Sequence, residues 1–298
     1  MSKINSEQFK GVFTALITPF KNQKVDFVSL EKLVNQQLAA KIDGFVVNGT
    51  TAESPNLTEQ EVSEIFKKIK DWTKGNVPLI LGTGSNSTER TIFSTRQASE
   101  MGADAALVVV PYYNKPPQQG LYLHFRAVAE SAQIPVILYN VPSRTITNLD
   151  TDTVLRLAEI KNIIGIKEAT GNMDIARAII ENTDKDFVML SGDDGTYVEF
   201  LKNKGQGVIS VASHVIPEVF ASLTASAKKG LHGENEILLK KYKNLIDLLF
   251  IEANPIPLKK AMHYLGIINS PELRLPLIEV SKEGANKLKA EMTSLGLI

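Results

Sequence analysis

Ile163-Ile164-Gly165-Ile166-Lys167-Glu168 is an apolar run closed by two charges. Its hydrophobic positions are continuous rather than alternating, which suits a strand covered on both faces, as in a parallel sheet wrapped by helices. Runs of the same kind recur at 12–18, 44–48, 78–82, 105–111, 135–140, 187–191 and 207–211. Eight such runs, spaced by a few tens of residues, predict the strands of a closed (β/α)8 barrel; a long doubly wound sheet is the competing topology.

Helical periodicity fills the gaps between runs. Leu30, Leu33, Val34, Gln37 and Leu38 fall on one face. Thr58 and Glu61 predict a capping box, followed by a buried stripe of Val62, Ile65, Phe66 and Ile69. Asn86 or Ser87 opens the next helix, and Met101-Gly102 closes it. After Gly233 only helical patterns remain, at 234–250, 257–265 and 281–293, with Asn254-Pro255-Ile256-Pro257 separating the first two. We therefore expect a catalytic barrel over 1–232. Residues 233–298 should form a C-terminal helical extension packed on the barrel or on a neighbouring subunit.

Composition narrows the function. The 298 residues carry 33 basic and 33 acidic side chains, and that neutrality argues against nucleic acid as the main partner. The absence of cysteine excludes disulfides, thiolate nucleophiles and thiolate metal sites. Residues 1–10 are polar and lack the apolar core of a secretion signal. No stretch approaches the roughly 18 apolar residues that span a bilayer. A cytoplasmic location with no membrane partner is the simplest reading. His124, His214, His232 and His263 show no local zinc spacing and read as surface or hydrogen-bonded residues.

Lys167 ends its run, and the C-terminal mouth is where barrel enzymes keep their chemistry. Burial there favours a neutral amine, which attacks a ketone to form an imine and so an electron sink. From strand position alone, a structural lysine paired with Glu168 or lying at the surface stands level with a catalytic one.

Other strand ends add polar groups. Asn48-Gly49-Thr50-Thr51-Ala52-Glu53-Ser54 follows the second run, with Gly49 allowing a tight turn and the hydroxyls suited to a carboxylate. Tyr139, in Tyr139-Asn140-Val141-Pro142, offers a phenol for proton transfer or a satisfied core hydroxyl. Arg144 offers a carboxylate fork or a surface charge. Pro111-Tyr112-Tyr113-Asn114-Lys115-Pro116-Pro117 is a rigid aromatic loop that suits an interface or a pocket edge.

Taken together, Gly-Thr-Thr-x-Glu-Ser at 49–54, Tyr112-Tyr113, Tyr139-Asn140-Val141-Pro142, Gly165-Ile166-Lys167-Glu168 and Asn254-Pro255-Ile256-Pro257 resemble the dihydrodipicolinate synthase and N-acetylneuraminate lyase family of class I aldolases. The resemblance runs over nearly the whole chain. It favours the members that condense pyruvate with L-aspartate 4-semialdehyde in lysine and diaminopimelate biosynthesis. It implies an imine on Lys167 and a proton relay of Tyr139, Thr50 and Tyr113, with Tyr113 reaching an adjacent subunit. Thr50 and Thr51 would bind the pyruvate carboxylate, Arg144 the semialdehyde carboxylate, and Gly192 and Ile209 would line the site. No metal or organic cofactor is implied.

The same resemblance implies self-association as a homotetramer or homodimer. Some relatives are inhibited by lysine. Ser54, Asn86 and Tyr112 resemble parts of that effector site, but Glu59 replaces a common histidine and Arg90 a common acid. Arginine in place of an acid removes attraction for an incoming ammonium, which predicts weak or absent lysine feedback. His214, where asparagine is frequent, is a further departure. The rivals are N-acetylneuraminate lyase, a 2-keto-3-deoxy-sugar acid aldolase and a noncatalytic metabolite-binding barrel. Arg144 beside Tyr139 favours a small acidic aldehyde over a neutral polyol.

Overall fold

The structure is a computed structural model that describes residues 6–298. The first five residues of the polar stretch at 1–10 lie outside the described residues. Eight strands form a closed barrel: β1 (Gly11–Ala15), β2 (Gly44–Val47), β3 (Leu79–Gly82), β4 (Ala105–Val109), β5 (Val136–Asn140), β6 (Ile163–Glu168), β7 (Val188–Ser191) and β8 (Gly207–Ser210). Each is hydrogen-bonded to its neighbour in sequence, and β8 returns to β1. The closed barrel is the expected topology; the doubly wound alternative is excluded.

Several expected runs outlast their strands. Leu16 and Ile17 follow β1 and Val110 follows β4, and all three are buried; Val110 still donates its backbone N–H to the Tyr139 carbonyl (2.9 Å). Burial, not strand membership, keeps those positions apolar. At the other end, Pro78 and Pro135 precede β3 and β5 because proline has no N–H for the ladder. Their carbonyls still accept from Phe45 (3.2 Å) and Ala106 (2.9 Å).

The barrel helices are α1 (Phe27–Ala39), α2 (Glu59–Thr73), α3 (Thr88–Glu100), α4 (Gln118–Ser131), α5 (Thr151–Ala158), α6 (Met173–Asn182), α7 (Tyr197–Lys202) and α8 (Pro217–Ala227). Thr58 and Glu61 form the expected capping box on α2, and Ser87 rather than Asn86 caps α3. The tail forms α9 (His232–Leu248), α10 (Ile256–Tyr264) and α11 (Lys282–Ser294), each within two residues of its expected bounds.

The chain divides into two compact units. One holds the residues up to Phe13 with Asp43–Val46 and Pro78–Ile209; the other holds Thr14–Ile42, Val47–Val77 and Ser210–Ile298. In the first, a core that includes Val108, Phe125, Leu138, Ile166 and Met189 packs strands against their helices. In the second, Gln37 of α1 is fully buried because Thr14 donates to its carbonyl (2.7 Å) while its amide reaches the Ser213 carbonyl (3.1 Å). A buried amide of this kind is tolerated only when satisfied.

Candidate active site

Lys167 is the penultimate residue of β6 and is only 7 % exposed. The parallel register sets it beside Tyr139 of β5 on one side and Leu190 of β7 on the other. Its Nζ lies 4.3 Å from the centroid of the buried Tyr139 ring. The structural alternative of a Lys167–Glu168 pair does not occur. Glu168 accepts instead from the Thr170 backbone (2.6 Å) and from Asn140 Nδ2 (3.1 Å). Neighbouring strand residues point to opposite faces, which separates the amine from the carboxylate.

Gly192 follows β7 and leaves room for the amine. A Cβ there would lie 2.9 Å from Lys167 Cε and 2.5 Å from the Ala169 side chain. Ile209 is buried in β8. Asn140 and Glu168 are supporting residues that sequence reasoning passed over, although both stand inside quoted motifs. Asn140 is fully buried, donates to Asn148 Oδ1 (3.0 Å) as well as to Glu168, and accepts from the Leu149 backbone (3.1 Å). Burial raises the Glu168 pKa against these donors, so the carboxyl retains a proton more readily than an exposed glutamate. The network ties the ends of β5 and β6 to the loop after β5.

Arg144 rides on the short helical turn Pro142–Thr145 in that loop and is exposed. The turn is held by Thr145, whose hydroxyl bonds to the Val141 and Thr147 carbonyls. Ile146 closes it at φ 64°, a costly conformation for a β-branched residue and one that recurs at functional loops. The loop after β4 is also strained: Tyr113 sits at φ 75° and Lys115 at φ 46°. Asn114 pins this loop by donating its side chain to the Asn86 carbonyl (2.9 Å). Tyr113 is 86 % exposed, in contrast to the buried Lys167 and Tyr139. Tyr112 and Arg90 are exposed, and Asn86 is half-buried.

In the second unit, Thr50–Ala52 form a single 3-10 turn after β2. The freedom expected of Gly49 is not used, since its backbone is extended (φ −82°, ψ −171°). The left-handed residues are Asn48 (φ 58°) and Glu53 (φ 57°) on either side. Glycine is the usual solution to such a turn, but tertiary bonds hold this one. Thr18 donates to the Ala52 carbonyl (2.9 Å) and Asn254 Nδ2 donates to Thr51 Oγ (2.9 Å). Glu53 is 1 % exposed and bonds Lys259 of α10 (2.5 Å) and the Arg274 backbone (3.0 Å). Thr51 is buried, Thr50 and Ser54 are half-buried, and Glu59 is exposed in the first turn of α2.

His214 is fully buried: its Nδ1 bonds the Val211 carbonyl (2.8 Å), and its Nε2 accepts from the Ile17 backbone (3.2 Å). His124 is buried as well and bonds the Thr88 hydroxyl (2.9 Å). Both are hydrogen-bonded interior residues, not surface ones. Among the described residues no acidic or histidine cluster is arranged to hold a metal ion. No helix among them is long and apolar enough to cross a membrane.

A lysine near the end of β6, beside a tyrosine at the same level of β5 in a closed parallel barrel, defines the class of Schiff-base-forming class I aldolase-type lyases. The profile of the Dihydrodipicolinate synthetase family matches residues 8–295, and the chain belongs to that family. A 4-hydroxy-tetrahydrodipicolinate synthase from Bdellovibrio bacteriovorus is 59% identical over 292 residues, covering 98% of this chain and 100% of the relative. Dihydrodipicolinate synthase from Thermotoga maritima superposes with a TM-score of 0.95 at 39% identity, covering 97% of this chain and 99% of that one. The chloride-inhibited enzyme from Acinetobacter baumannii, solved with pyruvate, gives a TM-score of 0.94 at 40% identity, with the same coverage of 97% and 99%.

Proposed function

We propose that this chain is a 4-hydroxy-tetrahydrodipicolinate synthase that condenses pyruvate with L-aspartate 4-semialdehyde, acting in the cytoplasm in lysine and diaminopimelate biosynthesis. The observation that carries the reading is the Lys167 amine, buried near the end of β6 and 4.3 Å from the Tyr139 ring. In this scheme the amine adds to C2 of pyruvate and water leaves, giving the imine. Loss of a methyl proton forms the enamine, whose carbon attacks the aldehyde. The substrate amine then adds to C2, closes the six-membered ring and releases Lys167.

Tyr139, Thr50 and Tyr113 are assigned the proton relay, Thr50 and Thr51 the pyruvate carboxylate, and Arg144 the semialdehyde carboxylate. Gly192 and Ile209 line the site. Relay groups act efficiently only at fixed distances. The 86 % exposure of Tyr113 at a strained φ of 75° supports a role completed by a second subunit, as a homotetramer or homodimer. Sedimentation equilibrium reads that assembly, and a fully active monomer would contradict it. We assign residues 1–232 to the catalytic barrel and 233–298 to a helical extension packed on it, as the bonds from Asn254 and Lys259 to Thr51 and Glu53 support. Lysine inhibition is weak or absent, with Ser54, Glu59, Asn86, Arg90 and Tyr112 as a vestigial effector site. A lysine titration of turnover measures it, and strong inhibition would remove this reading.

The deciding assay compares turnover of pyruvate plus aspartate semialdehyde with cleavage of N-acetylneuraminate and of keto-deoxy sugar acids. A sugar-acid preference would defeat the substrate assignment while sparing the lysine chemistry. Arg144→Ala is expected to lower semialdehyde use by about 10- to 100-fold, the worth of a bidentate charge pair, with imine formation from pyruvate little changed. Equal loss of both steps would refute the assigned role.

A further inference from the structure

The motif Asn254-Pro255-Ile256-Pro257 lies far along the chain from every residue assigned to the chemistry. Asn254 is nevertheless buried, and its amide donates to Thr51 Oγ at 2.9 Å. A threonine hydroxyl has a single hydrogen and two acceptor positions. With one acceptor position filled by Asn254, the hydrogen is left for a different partner. Among the described residues, Thr51 Oγ donates to none. The turn itself is held by the same C-terminal segment, because Glu53 bonds Lys259 and the Arg274 backbone.

We propose that Asn254 is a positioning residue for the keto acid: by donating to Thr51 it turns that hydroxyl's hydrogen toward the pyruvate carboxylate. The inference rests on the assignment of Thr51 to that carboxylate. It makes the C-terminal segment part of substrate recognition rather than a cover for the barrel. An anion gains most from a donor already oriented before it binds, because no reorientation is then needed at binding.

The test uses the full-length enzyme with pyruvate and aspartate semialdehyde varied separately. Asn254→Ala removes the donor and should raise the KM for pyruvate roughly ten-fold. Asn254→Asp keeps the shape but offers an acceptor, which draws the Thr51 hydrogen away, so its pyruvate KM should rise further, by about another three-fold. In both, kcat at saturating pyruvate and the KM for the semialdehyde should stay within about two-fold. Thr51→Val should raise the pyruvate KM in the same selective way, and adding Asn254→Ala to it should change little. A purely structural role predicts lower melting temperatures, both KM values moved together and equal effects of Ala and Asp; that pattern, or full additivity with Thr51→Val, overturns the proposal. Borohydride trapping of pyruvate on the wild-type enzyme separates the two levels: no adduct there refutes the synthase reading, whereas an adduct with an additive cycle refutes only the role of Asn254.

Discussion

Gly192 shows how much of the site is set by empty space. The position beside Lys167 Cε has no room for a methyl group, since a Cβ would also press on Ala169. Gly192→Ala therefore displaces either the amine or the loop after β7. The expected outcome is a fall in kcat/KM of at least about ten-fold, with a loss of stability of about 1–3 kcal/mol as for other overpacked sites. Steady-state kinetics and urea unfolding check it together. Unchanged kinetics would mean that the amine does not need that space. Apart from the family resemblance, glycine at 192 attracts no attention in the sequence, because its importance lies in a neighbour 25 positions earlier that only the β6–β7 register reveals.

At the scale of elements, strand ends carry the groups assigned to the chemistry, and other segments fix their conformation. Asn140 and Glu168 brace β5 and β6 to the loop bearing Arg144. The turn at Thr50–Ala52 depends on α10 and on the segment after it. Lys259 and Glu53 form a fully buried ion pair, and burial lowers the Lys259 pKa to about 8 despite the attraction of Glu53. Removing one member of such a pair leaves an uncompensated charge. Lys259→Met is expected to cost about 3–5 kcal/mol, and Lys259→Met with Glu53→Gln to recover part of that. Denaturant unfolding of the two single variants and the double variant gives the coupling; strictly additive losses would show that the pair does not act as a unit. From sequence, Lys259 reads as one more lysine on a helix, since its partner lies 206 positions away.

Across the whole molecule, the parts legible in sequence are those encoded locally. Continuous apolar runs marked all eight strands, and Thr58 with Glu61 marked the start of α2. Strand ends were blurred because residues such as Leu16 and Val110 stay buried beyond the last residue of their strands. Lys167 and Tyr139 stood out by their place at the ends of runs, whereas Asn254 and Gly192 act through long-range packing that no local pattern records. The pH dependence of stability belongs to this scale as well. Burial lowers the His214 pKa from 6.5 to about 4, against the opposing bond to Val211. The folded imidazole therefore stays neutral where the unfolded one takes a proton, and its contribution, present in full above pH 6.5, declines as pH falls toward about 4. His214→Asn should flatten unfolding free energy against pH in that window, and an unaltered slope would refute the assignment. The most direct test of the account is borohydride reduction of the folded enzyme with pyruvate, followed by peptide mass spectrometry. One adduct per chain, on Lys167 and absent in Lys167→Ala, is the predicted result; a folded enzyme with no adduct, or with its adduct on another lysine, would contradict it.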